Sequence, residues 1–310
     1  MQKAKKPASK RERHNLLVAY SFLAPNFIGF LIFTFIPVLF SIALSFMDWS
    51  GGADMTFVGL DNFKFIFKDF NFTRSNLGIA LKNTVFFTVA TVPLTIVCAL
   101  ALALVLNKSV KCAKFFRSVF FFPYVASLVA ICVCWNFLLM KTGPINQFLN
   151  AIGFNMTKSW TSSRDLSIWA IIIVTVWRSA GYYMIMYLAG LQGVPAELYE
   201  AATMDGANAW QKFRKITLPM LTPTTFFVSM MMVISCFKIY DVVAIMTQGG
   251  PGRSTKMLVT YIFELSFGGE NIAAAAQYGV ASAVSMVLLV IVLCVTIFQF
   301  RAEKKWVNYM

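Results

Sequence analysis

Arg178 is a charged residue within an apolar stretch, so its chemistry needs an explanation. It interrupts an otherwise uncharged run that extends from residue 166 to residue 196. On a helix, Thr175, Ser179 and Tyr182 fall on the same side as Arg178, at i−3, i+1 and i+4. A buried arginine costs about 2.5–3.5 kcal/mol on membrane-insertion scales, so it should face a cavity or a partner. Either Arg178 lines a polar pathway, or it makes an interhelical ion pair or a backbone-carbonyl contact.

A second polar group lies in the segment 197–219, which reads ELYEAATMDGANAWQKFRKITLP. Gly193-Val194-Pro195 breaks the chain before it, and Pro195 suits the first position of a new helix. Glu197 and Glu200 would then complement the positive end of that helix. Gly206 ends or hinges the helix. The pattern therefore predicts a short charged helix between two apolar runs.

The same segment predicts a second short helix. Asn208, with Gln211 three residues later, is the pattern of a capping box. Trp210 and Phe213 would anchor this helix to an apolar surface, and its three basic residues suit lipid headgroups. These bases are Lys212, Arg214 and Lys215. The resulting helix–turn–helix is either a docking element for a partner protein or an ordinary interfacial linker.

Residues that could support enzymatic catalysis are scarce. His14 is the single histidine, so neither a catalytic triad nor a histidine metal cluster can form. The apolar runs hold no pair of acids for general acid–base work, and no phosphate-binding G-x-x-x-x-G-K-[ST] pattern occurs. Cys132 and Cys134 fall about 200° apart on a helix, which is poor for a shared metal ion. A membrane enzyme is thus a distant alternative, and we expect no catalytic residue, metal site or cofactor in this chain.

Composition predicts an all-α integral membrane protein. Charged residues make up 13% of the 310 residues, and phenylalanine occurs 31 times. Crossing about 30 Å of hydrocarbon takes about 20 helical residues, and the chain has six runs of suitable length. A β-barrel would show short alternating segments, which are absent. The six predicted spans cover residues 17–47, 80–106, 116–140, 167–191, 217–246 and 278–300.

Basic residues predict the orientation of these spans. With the N-terminus inside, sixteen lysines and arginines fall on the inner side and eight in outer loops. This bias accounts for the net charge of +14 better than nucleic-acid binding does. We therefore expect a cytoplasmic tail at 1–15, a membrane domain at 16–300, a cytoplasmic loop at 192–216 and a cytoplasmic tail at 301–310. The apolar run after the basic start is too long for a cleaved signal peptide and is interpreted as the first span.

Three ordered motifs resemble those of a known family. Glu200-Ala201-Ala202, then Gly206, then Ile216, Leu218 and Pro219 match the EAA motif of binding-protein-dependent ABC importer permeases at every spacing. The stretches FFFPYVAS and YDVVAIMTQGGPGRST, the latter followed by YIF, resemble its carbohydrate-uptake branch, which imports oligosaccharides and glycerol phosphates. The chain is similar to the larger maltose-type permease without its additional N-terminal spans and large outer insertion, over roughly residues 17–305.

This resemblance implies a type I ABC importer permease fold with a cytoplasmic coupling helix, the EAA helix. It also implies four kinds of partner: a second homologous permease, two ATPases that use ATP and Mg²⁺, an extracytoplasmic solute-binding protein, and the transported sugar. The EAA loop would dock in a cleft of the ATPase. The implied ATPase-coupling residues are Tyr199, Glu200, Ala201, Ala202, Met204, Asp205 and Gly206.

The resemblance also implies a solute pathway and an outer contact. Pathway residues carried over from the family by position are Tyr124, Leu128, Thr175, Arg178, Ser179, Tyr182, Cys236 and Ile239. The glycine-proline cluster at Gly249, Gly250 and Pro251 should be irregular and would contact the binding protein. Cys236 and Ile239 replace polar amides of the maltose permease, and Arg178 adds a cation, so maltose bound in the same manner is not expected. A neutral oligosaccharide is the main reading, with an anionic solute such as glycerol phosphate as the alternative.

Overall fold

A computed structural model describes residues 10–107, 112–268 and 276–307. Most of the predicted N-terminal tail, the bases Lys108 and Lys111, and the last residues of the C-terminal tail lie outside these ranges. The first helix begins at Lys10, within the predicted tail, and the last one ends at Trp306, beyond the predicted sixth span.

Four helices in the described ranges are long and apolar enough to cross a bilayer. They cover Asn15–Leu44, Asn76–Asn107, Ser167–Gln192 and Tyr278–Trp306, close to the first, second, fourth and sixth predicted spans. The first consists of α1 (Lys10–Phe30), a π-helical turn (Leu31–Phe35) and α2 (Ile36–Leu44). We label the helix Asn76–Asn107 α4 and the helix Ser167–Gln192 α8.

The third predicted span is not one straight helix. It is divided into α5 (Ala113–Val125) and α6 (Leu128–Leu138), which meet at an angle of 96°. Ala126 and Ser127 between them have extended ψ angles of 155° and 121°. Pro123 in the last turn of α5 lacks an N–H, so the helix is already weakened before the bend. The described ranges contain a second bent pair in the fifth predicted span, and counting each pair as one span raises the number of crossing segments from four to six.

The fifth predicted span is broken twice. After a π-helical turn (Phe213–Thr217) and α11 (Leu218–Met220), the chain bends by 62° into α12 (Thr222–Phe237). Proline at positions 219 and 223 flanks this bend. A second break separates α12 from α13 (Asp241–Met246), so the expectation of continuous helix over 217–246 is wrong. Tyr240 in this break has φ −141° and ψ −55°, which no α-helical residue adopts.

The predicted all-α fold contains one short pair of β-strands. β1 (Met47–Asp48) and β2 (Thr56–Phe57) form a short antiparallel hairpin, with Met47 opposite Phe57. The hairpin lies between two apolar runs, where the backbone N–H and C=O groups need not all be hydrogen-bonded within one helix. A short helix, α3 (Asp61–Phe67), follows it. Buried Asn62 of α3 donates hydrogen bonds to the carbonyls of Ser45 and Met47, at 3.0 and 2.8 Å.

Helices α4 and α8 form the centre of the fold. Phe87 of α4 and Tyr187 of α8 are completely buried there. Helix α5 packs on α8 rather than along α4, and Gly181 permits the close approach. A Cβ at Gly181 would lie 1.8 Å from the carbonyl oxygen of Phe120.

The remaining helices complete the described chain. Helix α7 (Pro144–Ala151) starts directly after Gly143. Helix α14 (Leu258–Phe267) packs between α4 and the last helix, α15 (Tyr278–Trp306). In the loop between α8 and α12 lie α9 (Ala196–Met204) and α10 (Ala209–Lys212). The first span, in contrast, is almost completely exposed within this chain.

Candidate functional site

The 192–216 loop folds as the predicted pair of short helices. Helix α9 begins at Ala196, with Pro195 as its N-cap rather than its first residue. Gly206 ends the turn after α9 with φ +73°, and no atom lies within 4 Å of the place where its Cβ would be. Glycine is therefore needed at this position for its backbone conformation and not for space.

The predicted capping box is confirmed. The Asn208 side chain accepts from the Gln211 backbone N–H at 2.9 Å, and the Gln211 side chain accepts from the Asn208 N–H at 2.8 Å. The Trp210 and Phe213 rings lie 5.5 Å apart, while Trp210 remains 65% exposed. A short helix that caps itself in this way does not depend on distant parts of the chain.

The residues of α9 divide into two faces. Tyr199 is half-buried, and its hydroxyl lies 3.0 Å from Thr217 Oγ1 within the same chain. Lys212 Nζ donates to Thr203 Oγ1 at 2.7 Å, which ties the second short helix to the first. Glu200, Ala201 and Asp205 are exposed, Ala202 is half-buried, and Met204 is 89% exposed. The exposed group is free to contact another protein, whereas the Tyr199 hydroxyl is already engaged.

Arg178 contacts the end of the broken third span. Its Nη2 donates to the backbone carbonyl of Tyr124 at 3.2 Å, and its guanidinium carbon lies 5.1 Å from the centre of the Tyr124 ring. The Tyr124 ring is stacked on Tyr182 at 4.2 Å with an angle of 12° between the planes. Tyr124 is next to last in α5, so its carbonyl has no partner within that helix. Of the alternatives that the sequence left open for Arg178, the backbone-carbonyl contact is thus present.

This contact leaves part of the guanidinium unused. Arg178 Nε is buried and has no hydrogen-bond partner among the described residues, and the same holds for Thr175 Oγ1 one turn earlier. Neither described ion pair involves Arg178. Leaving a buried donor without a hydrogen bond costs free energy, so Arg178 Nε and Thr175 Oγ1 would each be stabilised by an acceptor.

The other predicted pathway residues lie around α8 to different depths. Leu128, Tyr182 and Ile239 are partly buried and pack against the main core cluster. Cys236 belongs to that cluster and is 2% exposed, and Ser179 is also buried. Leu128 begins α6 directly after the bend between α5 and α6. Ile239 lies in the break between α12 and α13. Broken membrane helices frequently mark solute sites in transporters.

The loop 247–256, which we call the glycine-proline loop, is irregular as predicted but highly ordered by hydrogen bonds. The Thr247 and Thr255 hydroxyls lie 2.8 Å apart, and Thr255 Oγ1 donates to the Gly250 carbonyl at 2.7 Å. Asn83 Nδ2 of α4 donates to the carbonyls of Arg253 and Lys256, at 3.0 and 3.1 Å.

Two more contacts attach this loop to the beginning of α8. Ser167 Oγ lies 2.8 Å from Ser254 Oγ, and Arg164 Nη2 donates to the Gly252 carbonyl at 3.3 Å. Sequence reasoning found the glycines and the proline of this loop but none of these anchors. Their partners are 87 or more residues away, so no local pattern identifies them.

A buried ion pair lies beside this loop. Lys256 Nζ and Glu264 Oε2 are 2.5 Å apart, with side chains 11% and 17% exposed. Burial and the nearby Glu264 carboxylate raise the pKa of Tyr261, whose ring lies under the Lys256 ammonium. The sequence counted Lys256 only as one of eight outer bases, because its partner on α14 could not be identified.

No group of three or more His, Cys, Asp or Glu side chains in the described ranges is arranged to hold a metal ion.

Comparison with known proteins adds a family and a fold. A model of the family described as "binding-protein-dependent transport system inner membrane component" matches residues 83–308. The chain is 36% identical to the "Probable ABC transporter permease protein YesP" of Bacillus subtilis, over 97% of this chain and 95% of that protein. It is 33% identical to the "Lactose transport system permease protein LacF" of Rhizobium radiobacter, over 96% of this chain and 97% of that protein.

The fold resembles a solved structure of a bacterial ABC transporter that imports the acidic polysaccharide alginate. The TM-score is 0.79 at 24% identity, covering 96% of this chain and 99% of the other. A second similar structure is a bacterial alginate ABC transporter in complex with a periplasmic protein that carries an alginate pentasaccharide. Its TM-score is 0.78 at 23% identity, covering 95% of this chain and 96% of the other.

Proposed function

The chain belongs to the family of inner membrane components of binding-protein-dependent transport systems, and we propose that it is the permease subunit of a sugar importer. It is a transport component rather than an enzyme, and it has the permease fold of type I ABC importers. The observation that carries the proposal is the EAA pattern on an exposed helix of a chain with this fold. The lactose permease and the alginate importer support sugar as the solute class.

The proposed membrane arrangement has six spans, with both termini in the cytoplasm. Each bent pair, α5 with α6 and α10–α11 with α12, then counts as one span. The 192–216 loop lies on the cytoplasmic side, where its basic residues face the lipid headgroups. The glycine-proline loop lies on the opposite side, where Gly249, Gly250 and Pro251 would contact a solute-binding protein.

Helix α9 is proposed to dock in a separate ATPase subunit, which supplies the ATP and Mg²⁺ chemistry. Its exposed residues Glu200, Ala201, Met204 and Asp205 would form the contact, with Ala202 at its edge. Tyr199 then acts differently from the sequence expectation: its bond to Thr217 transmits the position of α9 to the fifth span. The π-helical turn and α11 connect this contact directly to α12. Closure of the ATPase pair would thereby open the pathway outward, and hydrolysis would reset it inward.

The proposed solute pathway runs past the two helix breaks beside α8, and this chain would form half of it, with a second homologous permease forming the rest. Tyr124 and Tyr182 carry aromatic rings of the kind that stack on sugar rings. Arg178 and Thr175 hold unpaired donors that are buried in this conformation, so the pathway must open before a solute reaches them. Leu128 and Ile239 line the breaks. Ser179 and Cys236, being buried in the core, would support this surface rather than touch the solute.

An anionic sugar is the second candidate solute. The unpaired Nε of Arg178 favours it, because a guanidinium binds a carboxylate with two parallel hydrogen bonds. The alginate importer carries an acidic polysaccharide, which agrees with this candidate.

Uptake in reconstituted vesicles tests the main proposal. The chain is co-expressed with candidate second permease, ATPase and binding-protein subunits from the same organism. ATP-dependent uptake of labelled maltotriose, lactose, arabinotriose, an alginate trisaccharide and glycerol 3-phosphate is then measured. Uptake of at least one sugar is expected. Uptake of glycerol 3-phosphate alone would overturn the sugar assignment, and a complex lacking an ATPase would overturn the importer.

Arg178 variants separate the two solute candidates. If the solute is anionic, Arg178→Gln should lower uptake of the acidic sugar by about 10–150-fold, the range expected for losing 1.5–3 kcal/mol of charge-assisted hydrogen bonding, and Arg178→Lys should restore part of it. Equal uptake by the wild type and both variants would assign Arg178 only to capping α5.

A further inference from the structure

A cavity of about 710 Å³ lies under the glycine-proline loop, away from the Arg178 group. Its walls come from the start of α4, from α13, from the loop and from α14. Its volume is within the range of about 300–1,000 Å³ that is common for small-molecule sites. Neither the sequence motifs nor the proposed function assigns a ligand to this cavity.

Two aromatic rings form one wall of the cavity. Tyr240 and Phe263 lie with ring centres 4.9 Å apart and an angle of 37° between their planes. Tyr240 is placed there by the break between α12 and α13, and its hydroxyl makes no hydrogen bond with the described residues. Adjacent ring faces with one free hydroxyl form a surface suited to the apolar face of a sugar ring.

Other residues of the cavity wall supply hydrogen-bonding groups. Glu264 uses Oε2 for its ion pair with Lys256, and its Oε1 accepts no hydrogen bond from the described part of the chain. Gln248 is exposed beside it. A carboxylate oxygen is a strong acceptor for hydroxyl donors.

Gly249 keeps this wall open. It has φ +85°, and a Cβ there would lie 3.4 Å from Thr260 Cγ2 and 3.6 Å from Glu264 Oε1. A larger residue would be strained in this conformation and would reduce the space in front of the carboxylate. The absence of a side chain therefore leaves the Glu264 acceptor accessible from the cavity.

We propose that this cavity is a saccharide subsite, in which a sugar ring stacks on Tyr240 and donates a hydroxyl to Glu264. The inference rests on the proposed function, and it places a first binding position for the solute under the loop that faces the binding protein. Ile239 of the proposed pathway directly precedes Tyr240, so the subsite adjoins the route past α8.

The geometry favours a sugar over a protein segment as the occupant. Protein docking buries about 800 Å² on each partner and needs a broad surface, whereas this cavity is a concave pocket with paired rings and a single acceptor. The binding protein would then contact the loop, and the solute would enter the cavity beneath it.

Free-sugar binding to the complete permease–ATPase complex in nanodiscs, without the binding protein, tests the inference. Saturation-transfer NMR is recorded with maltotriose, lactose, arabinotriose and an alginate trisaccharide, one at a time. The sugar that the complex takes up should show saturable binding. This binding should be about tenfold weaker in Tyr240→Ala, which corresponds to a loss of about 1.4 kcal/mol. Tyr240→Phe should retain most of the binding, because it keeps the ring. Phe148→Ala is the matched control, since its ring is 65% exposed on α7 and lies outside the cavity wall.

The outcomes separate this inference from the proposed function. Normal uptake with no saturable binding, or with equal binding in Tyr240→Ala, overturns the subsite and leaves the importer standing. Loss of binding-protein capture by Tyr240→Ala, with free-sugar binding unchanged, assigns the cavity to protein docking instead. No ATP-dependent uptake of any sugar contradicts both.

Discussion

Two glycine-containing loops interrupt the apolar helices of this chain, and they are built in opposite ways. The 192–216 loop is held by bonds between neighbours in sequence, such as the Asn208–Gln211 capping box and the Tyr199–Thr217 pair, 18 residues apart. The glycine-proline loop has internal bonds as well, such as the Thr247–Thr255 pair, but it is also attached to partners 87 to 179 residues away, on α4, α8 and the segment before α4.

The difference indicates two mechanical roles. A loop stabilised by its own contacts can move as a unit when a partner protein moves it, provided that one strong connection leads to a span. A loop attached to several distant helices must move with all of them or remain fixed. We therefore expect changes in the 192–216 loop to affect coupling, and changes beside the glycine-proline loop to affect stability.

The largest expected effect on stability comes from separating the buried ion pair beside the glycine-proline loop. Lys256→Met would leave the Glu264 carboxylate buried without its partner, which typically costs about 3–5 kcal/mol. Thermal unfolding of the purified subunit should show a clearly lower midpoint. The matched control is Lys64→Met, because the Lys64–Asp61 pair is exposed and should contribute little. Equal unfolding midpoints for Lys256→Met and the wild type would show that this ion pair does not stabilise the protein.

The largest expected effect on transport comes from the exposed face of α9. Glu200→Lys reverses a charge at the proposed ATPase contact, and losing 1–3 kcal/mol of coupling should lower uptake about 5–150-fold. The unfolding midpoint should stay near that of the wild type. Glu197→Lys is the matched control, since it is exposed on the same helix outside the proposed contact group. Unchanged uptake in Glu200→Lys would show that α9 is a passive linker.

Gly206→Val tests the conformation of the same loop. A β-branched residue at φ +73° is strained by about 1–2 kcal/mol, although space for it exists. Uptake should fall, while the amount of protein inserted in the membrane should equal that of the wild type. Normal uptake with normal membrane levels would show that the turn tolerates a side chain and is not a rigid hinge.

A smaller effect is expected at the Tyr199–Thr217 bond. Tyr199→Phe and Thr217→Val each remove one hydroxyl, and each should cost about 0.5–1.5 kcal/mol of the loop's local stability. Because the two hydroxyls bond to each other, the double variant should lower ATPase-coupled uptake no further than either single one. Additive losses would mean that Tyr199 makes a separate contact with the ATPase.

The smallest effect is expected from Asn208→Ala, which removes one half of the capping box. The loss of about 1 kcal/mol should stay within α10, because the box contacts no distant helix. Hydrogen exchange should increase in residues 208–212 while the unfolding midpoint hardly changes. Increased exchange in the glycine-proline loop as well would contradict the independence of the two loops.

The sequence by itself determined the features that arise from local patterns. Apolar runs of sufficient length predicted where the long helices lie, and the spacing of Asn208 and Gln211 predicted the capping box. The glycine at position 206 ended α9 as predicted, because only a left-handed turn reverses the chain there so sharply. These features depend on interactions within a few residues, which a sequence displays directly.

Only the tertiary structure decided the rest. Pro123 weakens α5, but only the packing of α8 brings Arg178 to the Tyr124 carbonyl at the 96° bend. The pairing of Lys256 with Glu264 and the cavity beside Tyr240 depend on how α13 and α14 pack around the loop. Such contacts join distant segments, and a single sequence carries no periodicity that marks them.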